Sequence, residues 1–94
     1  MPIDFHPKAQ QEIKQAIAYY DKLNLGNAFL NATERSLQLI TQLPEAWTPL
    51  ILNIRRCQIK GFPYGIVYRV QSDRIQILAV MHLQRKPNYW IDRA

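Results

Sequence analysis

The sequence predicts an α+β domain in which an αα-hairpin packs on one face of an antiparallel sheet. Residues 8–43 hold two runs of apolar side chains at helical spacing, separated by a short break that contains Gly26. Residues 54–82 hold three runs in which apolar and polar residues alternate at strand spacing. No repeat, low-complexity tract or internal linker interrupts them, so the order β-α-α-β-β-β with a short C-terminal tail or helix falls in one domain, residues 1–94.

The elements follow from local pattern. In Met1–Phe5, Ile3 and Phe5 alternate around Asp4 as in a short strand. His6-Pro7 starts a helix, because proline is tolerated at the first helical position, where its missing N–H has no intrahelical partner. From Lys8 to Leu23 the apolar residues are Ala9, Ile13, Ala16, Ile17, Tyr20 and Leu23, one helical face, with Gln, Glu and Lys on the other. Asn24–Asn27 breaks the pattern. Phe29, Ala32, Ser36, Leu39, Ile40 and Leu43 form a second stripe that Pro44 ends, and so short a link makes a helical hairpin. Tyr19, Tyr20 and Phe29 are read as core. Glu45–Asn53 reads as a loop that Trp47 pins to the body of the domain.

Three strands follow: Ile54–Lys60, Tyr64–Gln71 and Arg74–His82, the last two joined by the polar turn Ser72-Asp73. Alternation assigns Tyr64/Ile66/Tyr68/Val70 and Ile75/Ile77/Ala79/Met81 to the helix-covered face. The opposite face is then expected to expose an apolar floor of Val67, Leu78 and Val80. Its rim would be Arg56, Lys60, Arg69 and His82, and such a half-apolar surface invites a partner.

Charge is distributed unevenly. Residues 1–53 carry four Lys or Arg against five Asp or Glu; residues 54–94 carry eight against two, giving the net +5. A basic C-terminal half favours an acidic protein or a phosphate backbone as partner. The single cysteine, Cys57, excludes an internal disulfide and suits a reducing cytoplasm. The opening MPIDFHPKAQQ lacks the layout of a signal peptide. The longest apolar run, Ile77 to Met81, is far short of the roughly 20 residues that span a bilayer. The expectation is a cytoplasmic protein with no membrane partner.

The tail from His82 to Trp90, HLQRKPNYW, is dense in His, Arg and aromatic residues. These are the parts of a metal-free ribonuclease: His82 or Tyr89 could move protons at the 2′-hydroxyl and the leaving oxygen while Arg85 stabilises the developing charge. They equally serve a binder that performs no chemistry, and Tyr89 and Trp90 can simply fold the tail back onto the sheet. With one cysteine and two distant histidines no zinc site is expected, and no Gly-rich phosphate loop or nucleophile turn occurs, so no cofactor is expected.

In this order the segments AIAYYDKL, LITQLP, IRRCQIKGFPYGIVYRV, RIQILAVMH and RKPNYW resemble the RelE/ParE superfamily of type II toxin–antitoxin toxins, often labelled plasmid stabilisation proteins. FPYGIVYRV followed by ILAVMH is the most specific part, and the resemblance covers nearly the whole chain. It implies a growth-inhibiting toxin held in a hetero-oligomer by a cognate antitoxin, which would cover Arg56, Lys60, Val67, Arg69, Leu78, Val80 and Trp90. ParE-like members inhibit DNA gyrase; RelE-like members cleave mRNA on the ribosome. Arg56, Lys60, Arg85 and Tyr89 match the RelE-like set in part, with His82 a possible acid/base group. Gly65 and Leu83 stand where RelE-like members carry Arg. Arg55–Cys57 and Tyr68–Val70 resemble the ParE-like mode, which is the reading favoured here.

Overall fold

The computed structural model describes residues 1–94. Strand β1 (Ile3–Phe5) runs into helix α1 (Pro7–Asp21), whose start is fixed by Pro7 and by His6 Nδ1, which accepts a hydrogen bond from the Lys8 amide at 3.1 Å. Asn24 takes a left-handed conformation (φ 60°), and the Leu25 amide returns to the Tyr20 carbonyl, so α1 ends as helices commonly do. Helix α2 (Gly26–Gln42) begins at once. A Cβ on Gly26 would sit 1.7 Å from the exposed Asp21 carboxylate, so a larger residue there would require the Asp21 side chain to turn away.

After α2 come β2 (Pro49–Ile51), β3 (Ile54–Gln58), β4 (Tyr64–Gln71) and β5 (Arg74–His82), with a terminal 3₁₀ turn at Ile91–Arg93. The sheet order is β1-β5-β4-β3-β2. The α+β class and the element order agree with the sequence reading, with two refinements. First, β1 pairs parallel with β5 (Ile3↔Ile75, Phe5↔Ile77), so the sheet is mixed. Second, the predicted loop contains β2, a three-residue edge strand headed by proline. All three of its residues are exposed, and it is too short to show alternation.

One larger departure governs the rest of the molecule. The β4–β5 ladder pairs Val67 with Ala79 but Tyr68 with Ile77, leaving Leu78 as an extra residue, a β-bulge. The bulge reverses the alternation downstream. Ile75, Ile77 and Val80 face the helices, joining Ile66, Tyr68, Cys57, Ile59, Phe29 and Tyr20 in the main core. Leu78, Ala79 and Met81 face the other way. The assignment of Ala79 and Met81 to the helix face and of Val80 to the open floor is therefore corrected, as is that of His82, which turns towards the helices and meets Tyr64. Strict period-two reading cannot foresee an inserted residue.

The floor itself is also not open. Val67 and Leu78 are wholly buried with Ile54, Ala79 and Met81 beneath Trp90, with Tyr89 and Ile91 packed alongside. The chain's own tail covers the second face of the sheet. Trp90 is the largest side chain of that cluster and is 1% exposed. Trp90→Ala should lower the unfolding free energy by about 3–5 kcal/mol, the range for a buried aromatic truncated to alanine. Chemical denaturation measures it; a loss below about 1 kcal/mol, the size of a surface change, would show the tail to be a loose cover.

Candidate interaction site

The tail is held by a single carboxylate. Glu12 lies on α1 three residues after Ala9 and four before Ala16, both buried, which places it on the packed side of the helix. Sequence reasoning put it on the polar face. The signal was available: a charge at the spacing of the apolar stripe is seldom buried unless it is partnered. Glu12 Oε1 accepts from the Val80 amide at 3.1 Å and from Arg93 at 2.8 Å. Glu12 Oε2 accepts from the Tyr89 hydroxyl at 2.6 Å, from Arg93 at 3.2 Å and from Arg85 at 3.3 Å. Arg93 thus grips Glu12 as a two-pronged fork and also donates to the Leu78 carbonyl at 3.0 Å. The side chains of Glu12 and Arg93 are each 10% exposed, so this ion pair is little screened by solvent.

This geometry explains the tail. Pairing of β1 with β5 stops at Ile77, and beyond it the edge of β5 would offer the Leu78 carbonyl and Val80 amide to solvent. Glu12 and Arg93 take those two groups, blunting the edge and fastening the last residues of the chain over it. Tyr89 is clamped between, with the Arg85 guanidinium 3.7 Å from its ring centroid and that of Arg93 at 5.1 Å.

The candidate catalytic residues are therefore brought near one another but in different roles. The Arg85 and Tyr89 side chains both address Glu12. Burial, then the hydrogen bond to Glu12, hold the Tyr89 hydroxyl well above the ordinary tyrosine range, so it keeps its proton. His82 points into a shallow cleft of about 220 Å³ that it shares with Tyr19, Tyr64, Glu12 and Arg85. Its Nδ1 accepts from the Gln84 amide at 3.1 Å, and Nε2 makes no hydrogen bond within the chain. No three side chains of metal-ligand type converge.

The predicted rim divides in two. On the tail-covered face, Arg69 pairs across the ladder with Gln76 and donates to its Oε1 at 2.8 Å. Arg56 is exposed on the same face, and its stem lies over Gly65, where a Cβ would come within 2.8 Å of it. Glycine at that position makes room for the Arg56 stem. Lys60 follows β3 and reaches a groove on the helix side, while His82 belongs to the α1 cleft. The four rim residues thus do not ring one floor. Val67, Leu78, Val80 and Trp90 are buried within the chain itself.

Comparison with known proteins bears on this arrangement. The family model described as ParE toxin of type II toxin-antitoxin system, parDE, matches residues 3–87. Toxin ParE2 of Mycobacterium tuberculosis is 32% identical over 89 residues, covering 88% of this chain and 82% of the relative. A chain from the structure titled chromosomal ParDE TA system from P. aeruginosa superposes with a TM-score of 0.66 at 18% identity, over 89% of this chain and 97% of that one. The last likeness concerns the fold.

The clamp has a pH signature. Tyr89, like Tyr68, whose burial pushes it up to about 12, binds its proton more tightly folded than unfolded. Their contribution is fully present below the ordinary value of 10.0 and is lost as pH climbs above it. Stability should fall steeply above pH 10. Tyr89→Phe should cost about 1.5–3 kcal/mol near neutrality, as for a hydrogen bond to a charged group. It should also flatten the alkaline fall, measured by denaturation between pH 8 and about 11. Equal slopes in the two proteins would mean that Tyr89 does not hold its proton on Glu12.

Proposed function

The chain belongs to the ParE toxin family of type II toxin–antitoxin systems, and we propose that it arrests growth by binding DNA gyrase and is silenced by a cognate antitoxin. No helix is long and apolar enough to cross a membrane; action on gyrase would place the protein in the cytoplasm. One observation supports a binder over an enzyme: the only constellation suited to RNA cleavage, His82 with Arg85 and Tyr89, has two of its three members engaged by Glu12. A tyrosine that donates to a carboxylate, with its proton held, is a poor general base at neutral pH. Arg85, stacked on Tyr89, lies against the chain's own anion rather than standing free for a phosphate.

The cations left over serve recognition. Arg35, Arg56 and Lys60 are exposed and form no ion pair within the chain. With the equally exposed and unpaired Lys8, Lys14, Lys22 and Lys86 they give the molecule its positive surface, which would speed and orient encounter with an acidic antitoxin. The second reading, a ribosome-dependent endoribonuclease, keeps one supporting feature, the half-buried His82 in an aromatic cleft with its Nε2 unbonded within the chain.

Induction without antitoxin, with plasmid supercoiling and protein synthesis followed in parallel, separates the two. The expected result is loss of gyrase activity and DNA damage signalling while translation at first continues, with His82→Ala as toxic as the wild type. Immediate arrest of translation with codon-phased mRNA cuts, lost by 10²-fold or more in His82→Ala, would establish the nuclease instead.

A further inference from the structure

We infer that the free edge of β2 is a self-association surface, where two copies of this chain pair strand against antiparallel strand across a two-fold axis. This pairing is separate from any contact with gyrase or antitoxin. The two edges of the sheet are finished differently. The order β1-β5-β4-β3-β2 leaves one outer edge on β1 and the other on β2. The β1 edge is guarded by charge. Asp4, at its centre, forms an ion pair with Arg74, and beyond its end Glu12 and Arg93 close what β1 leaves uncovered. Charge on or beside an edge strand is a common guard against pairing with another chain.

The β2 edge has no such guard. No residue from 46 to 54 is charged. Leu50, Ile51 and Leu52 are 46%, 40% and 80% exposed, and no other segment bonds to the outer side of the strand. Only Pro49, at its head, limits pairing. The tip is also strained. Leu52 opens the two-residue turn into β3 with φ 52°, a conformation that suits Gly, Asn or Asp and not leucine. Asn53 Nδ2 donates to the Val70 carbonyl at 3.3 Å and fixes the turn to the sheet. A strained leucine held out in water contributes nothing to the folded monomer, whereas an apolar tip beside an open edge extends a contact surface.

Charge names the occupant. With a net charge of +5 two copies repel, and the repulsion is least where no charge stands at the contact. A two-fold interface sets the same patch against itself, which here means apolar against apolar. An acidic segment would find no free cation on this strand. Arg55, the nearest in sequence, is turned onto the Pro44 carbonyl. The contact is small: a strand of three residues falls well short of the roughly 20–30 residues a side of a standard interface, so the pair comes apart on dilution. Its product is one continuous sheet through both copies.

The test is sedimentation equilibrium of the purified chain across a range of concentration, with amide hydrogen exchange at both ends of the range. The wild type should pass from monomer to dimer, and the amides from Leu50 to Asn53 should gain protection in step. Leu50→Lys, which brings like charges together across the axis, should weaken the dimer by about tenfold or more. Leu52→Gly should weaken it too, while the unfolding temperature of the monomer holds or rises, because glycine accepts the turn without strain. Leu30→Lys, which adds the same charge at an exposed leucine of α2, should leave the dimer within about twofold. A chain still monomeric at about 1 mM, where even a Kd of that size gives measurable dimer, would overturn the inference. So would a dimer that withstands both Leu50→Lys and Leu52→Gly. Equal weakening by Leu30→Lys would reduce the effect to net charge and overturn it as well. Protection of these amides only on addition of antitoxin, with the free chain monomeric, would assign the edge to the antitoxin instead.

Discussion

A bulge at Leu78, clamped by Glu12 and Arg93, is the constraint on which the rest of this structure depends. One extra residue in β5 turns Val80 and His82 towards the helices and sets Leu78, Ala79 and Met81 on the far face. It also presents a strand edge that β1 is too short to cover. A carboxylate from α1 and a guanidinium from the last turn satisfy that edge and each other. Helix, sheet and C-terminus are joined at one point. An ion pair this buried is not by itself strong evidence for stability, but removing one partner leaves the other charged and unpaired at a cost of about 3–5 kcal/mol. The clamp therefore acts as a latch: intact, it fixes the position of the tail; broken, it leaves a buried charge.

The latch decides what the conspicuous tail residues do. Arg85, Tyr89 and Trp90 read from the sequence as a reactive or adhesive cluster, yet each is engaged within the chain, two on Glu12 and one on the underside of the sheet. Polar and aromatic residues that suit catalysis also suit fastening, and only geometry separates the uses. Arg35, Arg56 and Lys60 stay outside these contacts and are exposed.

Much of the architecture was legible in the chain. The stripes through Ala9–Tyr20 and Phe29–Ile40, the stop at Pro44 and the alternation of Tyr64–Val70 all correspond to observed elements and buried faces. What was not legible depended on single insertions and long-range partners. Nothing local marks Leu78 as a bulge, because every residue from Ile77 to Met81 is apolar and any phase of alternation fits. Gly65 could be noted as a departure, but only the Arg56 stem lying over it gives the reason. Glu12 and Arg93 are 81 residues apart, so their pairing could not be read from spacing, although a charge on the apolar stripe of α1 was a visible anomaly.

The most direct test of the latch is residue-resolved amide hydrogen exchange in the wild type and in Glu12→Gln, which keeps the shape of the side chain and removes its charge. If the clamp joins the tail to the sheet, the Val80 and Arg93 amides lose protection together in the variant, while amides at the centre of β4, such as Val67, slow or quicken only with global stability. Tail amides that exchange at the same rate in both proteins, or already as fast as unstructured chain in the wild type, would contradict it.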